Sequence, residues 1–236
     1  MEGTGNITVV AVHGAWADGS SWRDVILGLK REGLPVIAAP IPLTSLGDDS
    51  AALKRAMART EGPVILAGHA YAGAVIATVN DERLKALVYI AGLAPDEGET
   101  VAQVFYRDEQ HPRAPQLAPD ADGFIWMPDE GFGNAFAQHA TKEQIALSAA
   151  VQRPIALTCI QEPVPKPAWK PKPSWFLIAE EDRMINPKTQ HFMAKRMGAT
   201  TRSFAVDHTP LLSAPQKVVD IIMKAKQAVF PSEHNV

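Results

Sequence analysis

Apolar residues along this chain fall into short unbroken runs separated by stretches with helical spacing. Ile7-Thr-Val-Val-Ala-Val12 has no polar alternation, as a strand buried on both faces requires. Trp22, Val25, Ile26 and Leu29 follow at helical spacing, with Ser20 or Ser21 as the predicted N-cap and Gly33 as the stop. Pro35–Ala39 is the next strand, broken by Pro40 and Pro42, and residues 48–60 read as a second helix. A strand at 64–67, a small-residue helix from Ala72 and a strand at 84–90 complete a β-α-β-α-β-α-β order. That order predicts an α/β fold, a mostly parallel sheet with helices on both faces.

Alternation stops at Ala94-Pro95-Asp96 and returns only at Ser174–Ala179. Prolines recur throughout the interval, and Thr141-x-x-Gln144 is a capping box that predicts a helix from 142 to about 152. A long irregular insertion in a compact domain is usually a lid or a binding loop. Phe105, Tyr106, Phe124, Trp126, Phe132, Phe136 and Trp169 lie in it. Some of these aromatics are expected to form a satellite core and others the apolar roof of a site, which composition alone does not divide. After it come a helix at 187–197 opened by Asn186-Pro187 and a strand at 201–206. Ser213-x-x-Gln216 reads as a second capping box opening a last helix, with Val218, Val219, Ile221, Ile222 and Ala225 inward. The division expected is one domain, with a core of 1–95 and 173–236 and a lid of 96–172.

The chemistry gathers at predicted strand ends, where open α/β sheets bind their ligands. Those ends carry His13-Gly14, Gly68-His69-Ala70-Tyr71-Ala72, Asp182 and His208. A strand turning sharply into a helix between small residues is the geometry of a nucleophile elbow, whose pattern is G-x-S-x-G. Here the apex is Ala70, which has no oxygen, and Ala72 replaces the second glycine. The order of elbow, acid and histidine is that of a nucleophile–acid–base triad. Glu180 and Glu181 compete with Asp182 for the acid's place. Ser20, Ser21, Thr44 and Ser45 read as capping and turn residues, Cys159 as a small buried apolar side chain, and His69 as a packing partner near the elbow. His111, His139 and His191 have no metal spacing, and no glycine-rich phosphate loop follows a strand, so neither metal nor nucleotide cofactor is expected.

Composition narrows the classes further. A net charge of −3 gives no electrostatic case for nucleic acid or an anionic membrane. A single cysteine excludes an internal disulfide framework and fits a reducing, cytoplasmic setting. Met1–Asn6 has neither the basic start nor the apolar core of a secretory signal, and no apolar run is long enough to span a bilayer. A small molecule is the expected partner.

The chain resembles the α/β-hydrolases, in particular small bacterial esterases similar to plant methylesterases and hydroxynitrile lyases. The resemblance rests on His13-Gly-Ala-Trp-Ala-Asp-Gly-Ser-Ser-Trp22, Pro42-Leu-Thr-Ser45, Gly68–Ile76, Ala86-Leu-Val-Tyr89, Pro173-Ser-Trp-Phe176, Asp182-Arg183 and His208. It implies Asp182 as triad acid, His208 as base, and the backbone N–H groups of Ala15 and Tyr71 as oxyanion hole. The expected pocket is lined by Trp16, Tyr71 and at least two of Phe105, Trp126, Phe132 and Phe136. Members with this motif have Ser where Ala70 stands, so the expectation is an esterase scaffold for a small apolar ester that hydrolyses poorly. A Ser→Ala change made to trap an ester and a natural replacement both account for Ala70. The alternative function is non-hydrolytic, either a general-base lyase or isomerase or a protein that only binds a ligand in the same pocket.

Overall fold

The computed structural model describes residues 7–231, so the reading of Met1–Asn6 lies outside the described residues. The strands are β1 (Thr8–Val12), β2 (Val36–Ala39), β3 (Val64–His69) and β4 (Leu84–Ile90), with α1 (Arg23–Arg31), α2 (Leu46–Met57) and α3 (Ala72–Ala77) between them. The chain then leaves the main sheet. It forms α4 (Val101–Phe105), β5 (Phe124–Ile125), α5 (Asp129–Gly131) and a wide turn at Phe132–Phe136. α6 (Lys142–Ala150), β6 (Ile155–Ala156) and α7 (Leu157–Gln161) complete the excursion. It returns through β7 (Ser174–Ala179), α8 (Pro187–Met197), β8 (Thr200–Phe204), α9 (Pro210–Ser213) and α10 (Pro215–Val229).

The main sheet has the order β2-β1-β3-β4-β7-β8, and every pair in it is parallel. β5 and β6 form a separate antiparallel pair outside it. The unbroken apolar runs are explained by two cores, one on each face of the sheet. Val10 and Val12 pack with α2, α3 and the excursion, while Val9 and Ala11 pack with α1 and α10. Successive strand residues point to opposite faces, so a strand covered on both sides has no polar position to spare. Because all six strands run the same way, the carboxyl ends of β1, β3, β7 and β8 share one edge.

Several local readings are corrected. The first helix is preceded by a tight turn at Gly19–Trp22 whose N-cap is Asp18, accepting from the Ser20 amide, rather than Ser20 or Ser21. Ser213 does not cap the last helix. Its hydroxyl donates to Asp207 at 2.6 Å, and Pro215 occupies the first turn of α10 behind Ala214. Proline has no N–H to be capped and its fixed φ starts the helix unaided. α4 is opened by a capping box, Thr100 with Gln103, that the sequence reading passed over because the helix is only five residues long.

α3 lies close to the chain after β4, and Gly73 is the reason it fits. A Cβ placed there would lie 2.4 Å from the Leu93 carbonyl oxygen. Gly73→Ala is therefore expected to destabilise the fold by about 2–3 kcal/mol, since backbone rather than a movable side chain blocks the methyl. Thermal unfolding checks this, with a drop of about 5–10 °C expected and an unchanged midpoint refuting it.

Candidate active site

Ala70 sits between β3 and α3 with φ 50°, in the left-handed region. An alanine there costs on the order of 1–2 kcal/mol relative to ordinary helix backbone. The neighbourhood holds it in place: its N–H donates to Ile90 O at 3.2 Å, and its carbonyl accepts from Gly73 at 3.0 Å and Leu93 at 2.9 Å. Glycines clear the space around it. A Cβ at Gly68 would lie 2.8 Å from Ala72 O, and one at Gly14 would lie 3.1 Å from the Ala70 methyl. The strained, outward-facing turn of a nucleophile elbow is intact around a methyl group.

His208 follows β8 and Asp182 follows β7, and both are buried. His208 Nδ1 lies 2.8 Å from Asp182 Oδ2. Asp182 is itself saturated: Oδ1 accepts the amides of Met184 at 2.7 Å and Ile185 at 2.9 Å, and Oδ2 also accepts Gln190 Nε2 at 2.8 Å. Four donors on one carboxyl group fix its orientation. With Asp182 Oδ2 accepting at Nδ1, the imidazole N–H lies on that side and Nε2 is left for the cavity that His208 lines. Glu180 pairs with His191 and Glu181 with His139, so neither reaches His208.

His69, next to the apex, donates through Nε2 to the backbone carbonyl of His208 at 2.7 Å. Complete burial, and then the neighbouring His208, push its pKa down to about 3, so it is a neutral strut. The Phe136 ring stands 5.3 Å from the His208 ring on another side. The amides of Ala15 and Tyr71 donate to no acceptor among the described residues. Both residues line the cavity beside the strained apex.

The walls of the cavity beside Ala70 are almost wholly apolar. Trp16, Tyr71 and Phe105 line it together with Ala15, Ala70 and His208. Trp126 and Phe132 do not. Ile125 faces the cavity, so the next residue in the strand direction, Trp126, points out, 49% exposed, with its indole N–H on Asp120. No satellite core forms: Phe132 is buried against Phe136 in the core on one face of the sheet, and Phe136 lines a neighbouring cavity with His69. Much of the roof is aliphatic instead: Ile155, Ile160 and Ile185, with Leu93 below. Such residues carry no chemical signal in a sequence. Gln190 was also missed, although a glutamine on the buried side of a helix after the acid is the kind of residue that orients one.

Comparison with known proteins agrees with this architecture. A histidine-to-alanine variant of tomato methylketone synthase I in complex with β-ketoheptanoate superposes with a TM-score of 0.82 at 16% identity, over 95% of this chain and 99% of that one. A pyrethroid hydrolase from Sphingobium faniae JZ-2 gives 0.79 at 20% identity, covering 97% and 100%. A methylesterase from Arabidopsis gives 0.77 at 16% identity, covering 94% and 99%. Likeness at this identity shows a shared α/β-hydrolase fold. Among curated proteins, an alpha/beta hydrolase named nvfD from Aspergillus novofumigatus (strain IBT 16806) is 24% identical over 213 residues, 81% of this chain and 82% of that protein. A family model described as "Alpha/beta hydrolase family" matches residues 9–221, from the first strand into the last helix with the elbow, Asp182 and His208 inside it, and on that match the chain belongs to the alpha/beta hydrolase family.

Proposed function

We propose that this chain is a lyase on the scaffold of a carboxylic-ester hydrolase, removing CO2 from a small apolar β-keto acid by general acid–base and oxyanion chemistry. The observation that carries the reading is a methyl group at the apex of an otherwise complete site: His208 on Asp182, and two free amides beside Ala70. Acyl transfer to the enzyme needs an apex oxygen. β-Keto acid decarboxylation needs none. The C–C bond to the carboxylate breaks, its electron pair enters the adjacent carbonyl, and the resulting enolate oxygen takes the negative charge. In this reading the Ala15 and Tyr71 amides accept that charge, the role of an oxyanion hole. A proton from solvent, passed through His208 Nε2, then closes the carbon left by CO2, giving a methyl ketone. One proton is consumed and one CO2 released per turnover.

The walls favour the same step. A carboxylate placed among Leu93, Phe105 and Ile160 has lost its water and gained no cation, whereas the enolate oxygen meets two N–H groups. Interactions stronger in the transition state than in the ground state are what accelerate a reaction. The apolar lining suits an aliphatic chain, and the tomato protein of the same fold was captured with β-ketoheptanoate. Residues 96–172 serve as the lid, and a reducing cytoplasm keeps Cys159 a thiol.

A second reading retains hydrolysis of a small ester, favoured by the esterase-type neighbours. Incubating the chain with a medium-chain β-keto acid and, separately, with an activated aryl ester discriminates between them. Methyl ketone and CO2 formed above the spontaneous rate support the lyase. Phenol release without CO2 overturns it in favour of a weak hydrolase, and tight binding without either product overturns both in favour of a ligand-binding protein.

A further inference from the structure

Behind the Tyr71 wall of the cavity lies a buried polar cluster that the proposed reaction leaves unused. Asp49, on α2, is fully buried. Its Oδ1 accepts the Leu43 amide at 2.7 Å, its Oδ2 accepts the Tyr71 hydroxyl at 2.7 Å, and the Cys159 thiol lies 3.7 Å from the same Oδ2. These three partners belong to three parts of the site. Tyr71 follows the apex, lines the cavity with its side chain and holds one of the two free amides. Leu43 lies in the loop after β2 with φ 62°, a conformation that a leucine seldom adopts unless its surroundings impose it. The Leu43 carbonyl in turn accepts the amide of Ala156 in β6 at 2.9 Å, and the next carbonyl, Thr44, accepts the Thr158 hydroxyl at 2.6 Å. Cys159 is in α7, beside Ile160, which with Ile155 roofs the cavity.

We propose that Asp49 is a positioning residue, a buried carboxylate that holds the Tyr71 wall and the 155–160 roof in one fixed arrangement. The proposal rests on the functional reading above only for why the Tyr71 amide matters to the reaction. The holding is a matter of hydrogen bonds. One carboxylate gathers three donors from elements far apart in sequence, and no lysine or arginine among the described residues pairs with it. An acceptor with several free lone pairs can do this; a neutral amide, which must also donate, cannot satisfy the same three donors.

Burial without a cation raises the Asp49 carboxyl to about 6, against the pull of the Tyr71, Leu43 and Cys159 bonds, with Asp48 adding repulsion. The facing titratable groups are Tyr71 just before α3, Cys159 from α7 and Asp48 on its own helix. Burial drives the Tyr71 hydroxyl far upward and the Cys159 thiol up to about 12, so both stay protonated donors at neutral pH. Above pH 6 the carboxylate takes all three. Below it a proton must occupy an oxygen, and the Tyr71 bond has to reverse or break. The stability sign is opposite to that of a salt-bridged aspartate. The folded state binds the extra proton between the ordinary carboxylate value near 3.8 and about 6, so this group's contribution to stability falls as pH rises through that window.

The test is amide NMR on the full chain carrying His208→Ala, which removes the imidazole that lines the cavity. The Tyr71 and Ala156 cross-peaks are expected to move together between pH 4.5 and 8 with a common midpoint near 6, and to stay still when Asp49→Asn is added. No turnover is measured, so the result is independent of whether the chain is a lyase. Stationary peaks, or the same movement in the Asp49→Asn variant, overturn the proposal. Should that variant not fold, Tyr71→Phe keeps the charge and removes one donor. The midpoint read at the Leu43 amide then rises by about one pH unit if the hydroxyl holds the carboxylate, and an unchanged midpoint overturns it. In the otherwise unaltered chain, Asp49→Asn is expected to lower kcat about tenfold with KM within about twofold, the pattern of a displaced transition-state donor. A loss confined to KM would count against it.

Discussion

Ala70→Ser is expected to turn this chain into an ester hydrolase, with activity on an aryl ester rising by about 10³-fold or more. The change adds one oxygen at a position whose backbone is already in the strained turn, with φ 50°. Gly14, Gly68 and Gly73 let the surrounding backbone approach closely without side chains of their own beside the apex. His208 already lines the same cavity, held at Nδ1 by a carboxylate that four donors fix in place. The base is thus oriented before the nucleophile arrives, and a nucleophile with a positioned base is what acyl transfer requires. The large gain follows because triad members act as a unit: with two in place, the third contributes nearly the whole effect. A burst of phenol on mixing reports the acyl-enzyme. Adding His208→Ala to Ala70→Ser should abolish the gain. If Ala70→Ser binds the ester and turns over no faster than Ala70, the two amides and His208 are not arranged for acyl transfer, and the site is shaped for another reaction.

The second large effect is expected in the chain as it stands. His208→Ala should reduce β-keto acid decarboxylation on the order of 10²–10⁴-fold, the usual range for a general acid–base group. Asp182→Asn should approach that loss while preserving the fold. An amide at Asp182 keeps the shape, yet it turns one oxygen into a donor among the amides of Met184 and Ile185, Gln190 and His208 Nδ1. The imidazole is then free to take the other tautomer, with the wrong nitrogen facing the cavity. The measurement is methyl ketone formed per unit time at saturating substrate. Methyl ketone formation by His208→Ala at the unaltered rate would remove the imidazole from the mechanism, leaving the oxyanion amides and the apolar walls as the whole of catalysis.

These two substitutions divide the family's chemistry at a single atom. Family membership establishes a hydrolase-type scaffold. In the proposed reading, which bond that scaffold breaks depends on whether the apex offers an oxygen. A hydroxyl there would attack a carbonyl bound between the two amides. A methyl would leave the carbonyl intact and its oxygen would become the electron sink. The dyad would serve either outcome, because proton transfer at Nε2 is common to both.

Much of this was legible in the residues alone. The strands and helices of the sheet announce themselves because an apolar run or a helical stripe is a local property, set by which residues stand three or four positions apart. The parallel sheet follows, since strands joined by helices can return only in the same direction. The strand-end placement of Ala70, Asp182 and His208 follows from the same reasoning, with their order along the chain. The acid was not decided at that level. Glu180, Glu181 and Asp182 are adjacent, and only the turn after β7 sends the first to His191, the second to His139 and the third to His208. Nor was the cavity. Trp126 and Ile125 are neighbours of similar apolarity, and only the course of the chain at the end of β5 puts one inside and the other out. Asp49 reads in the sequence as an unremarked helix residue. It becomes a buried junction because α2 packs against α3 and α7, bringing Leu43, Tyr71 and Cys159 to one carboxylate. Sequence determined what repeats at short range: element type, sheet direction and the chemistry available at the strand ends. Tertiary structure decided which donor meets which acceptor, because a hydrogen bond about 3 Å long depends on contacts between residues as many as 139 positions apart.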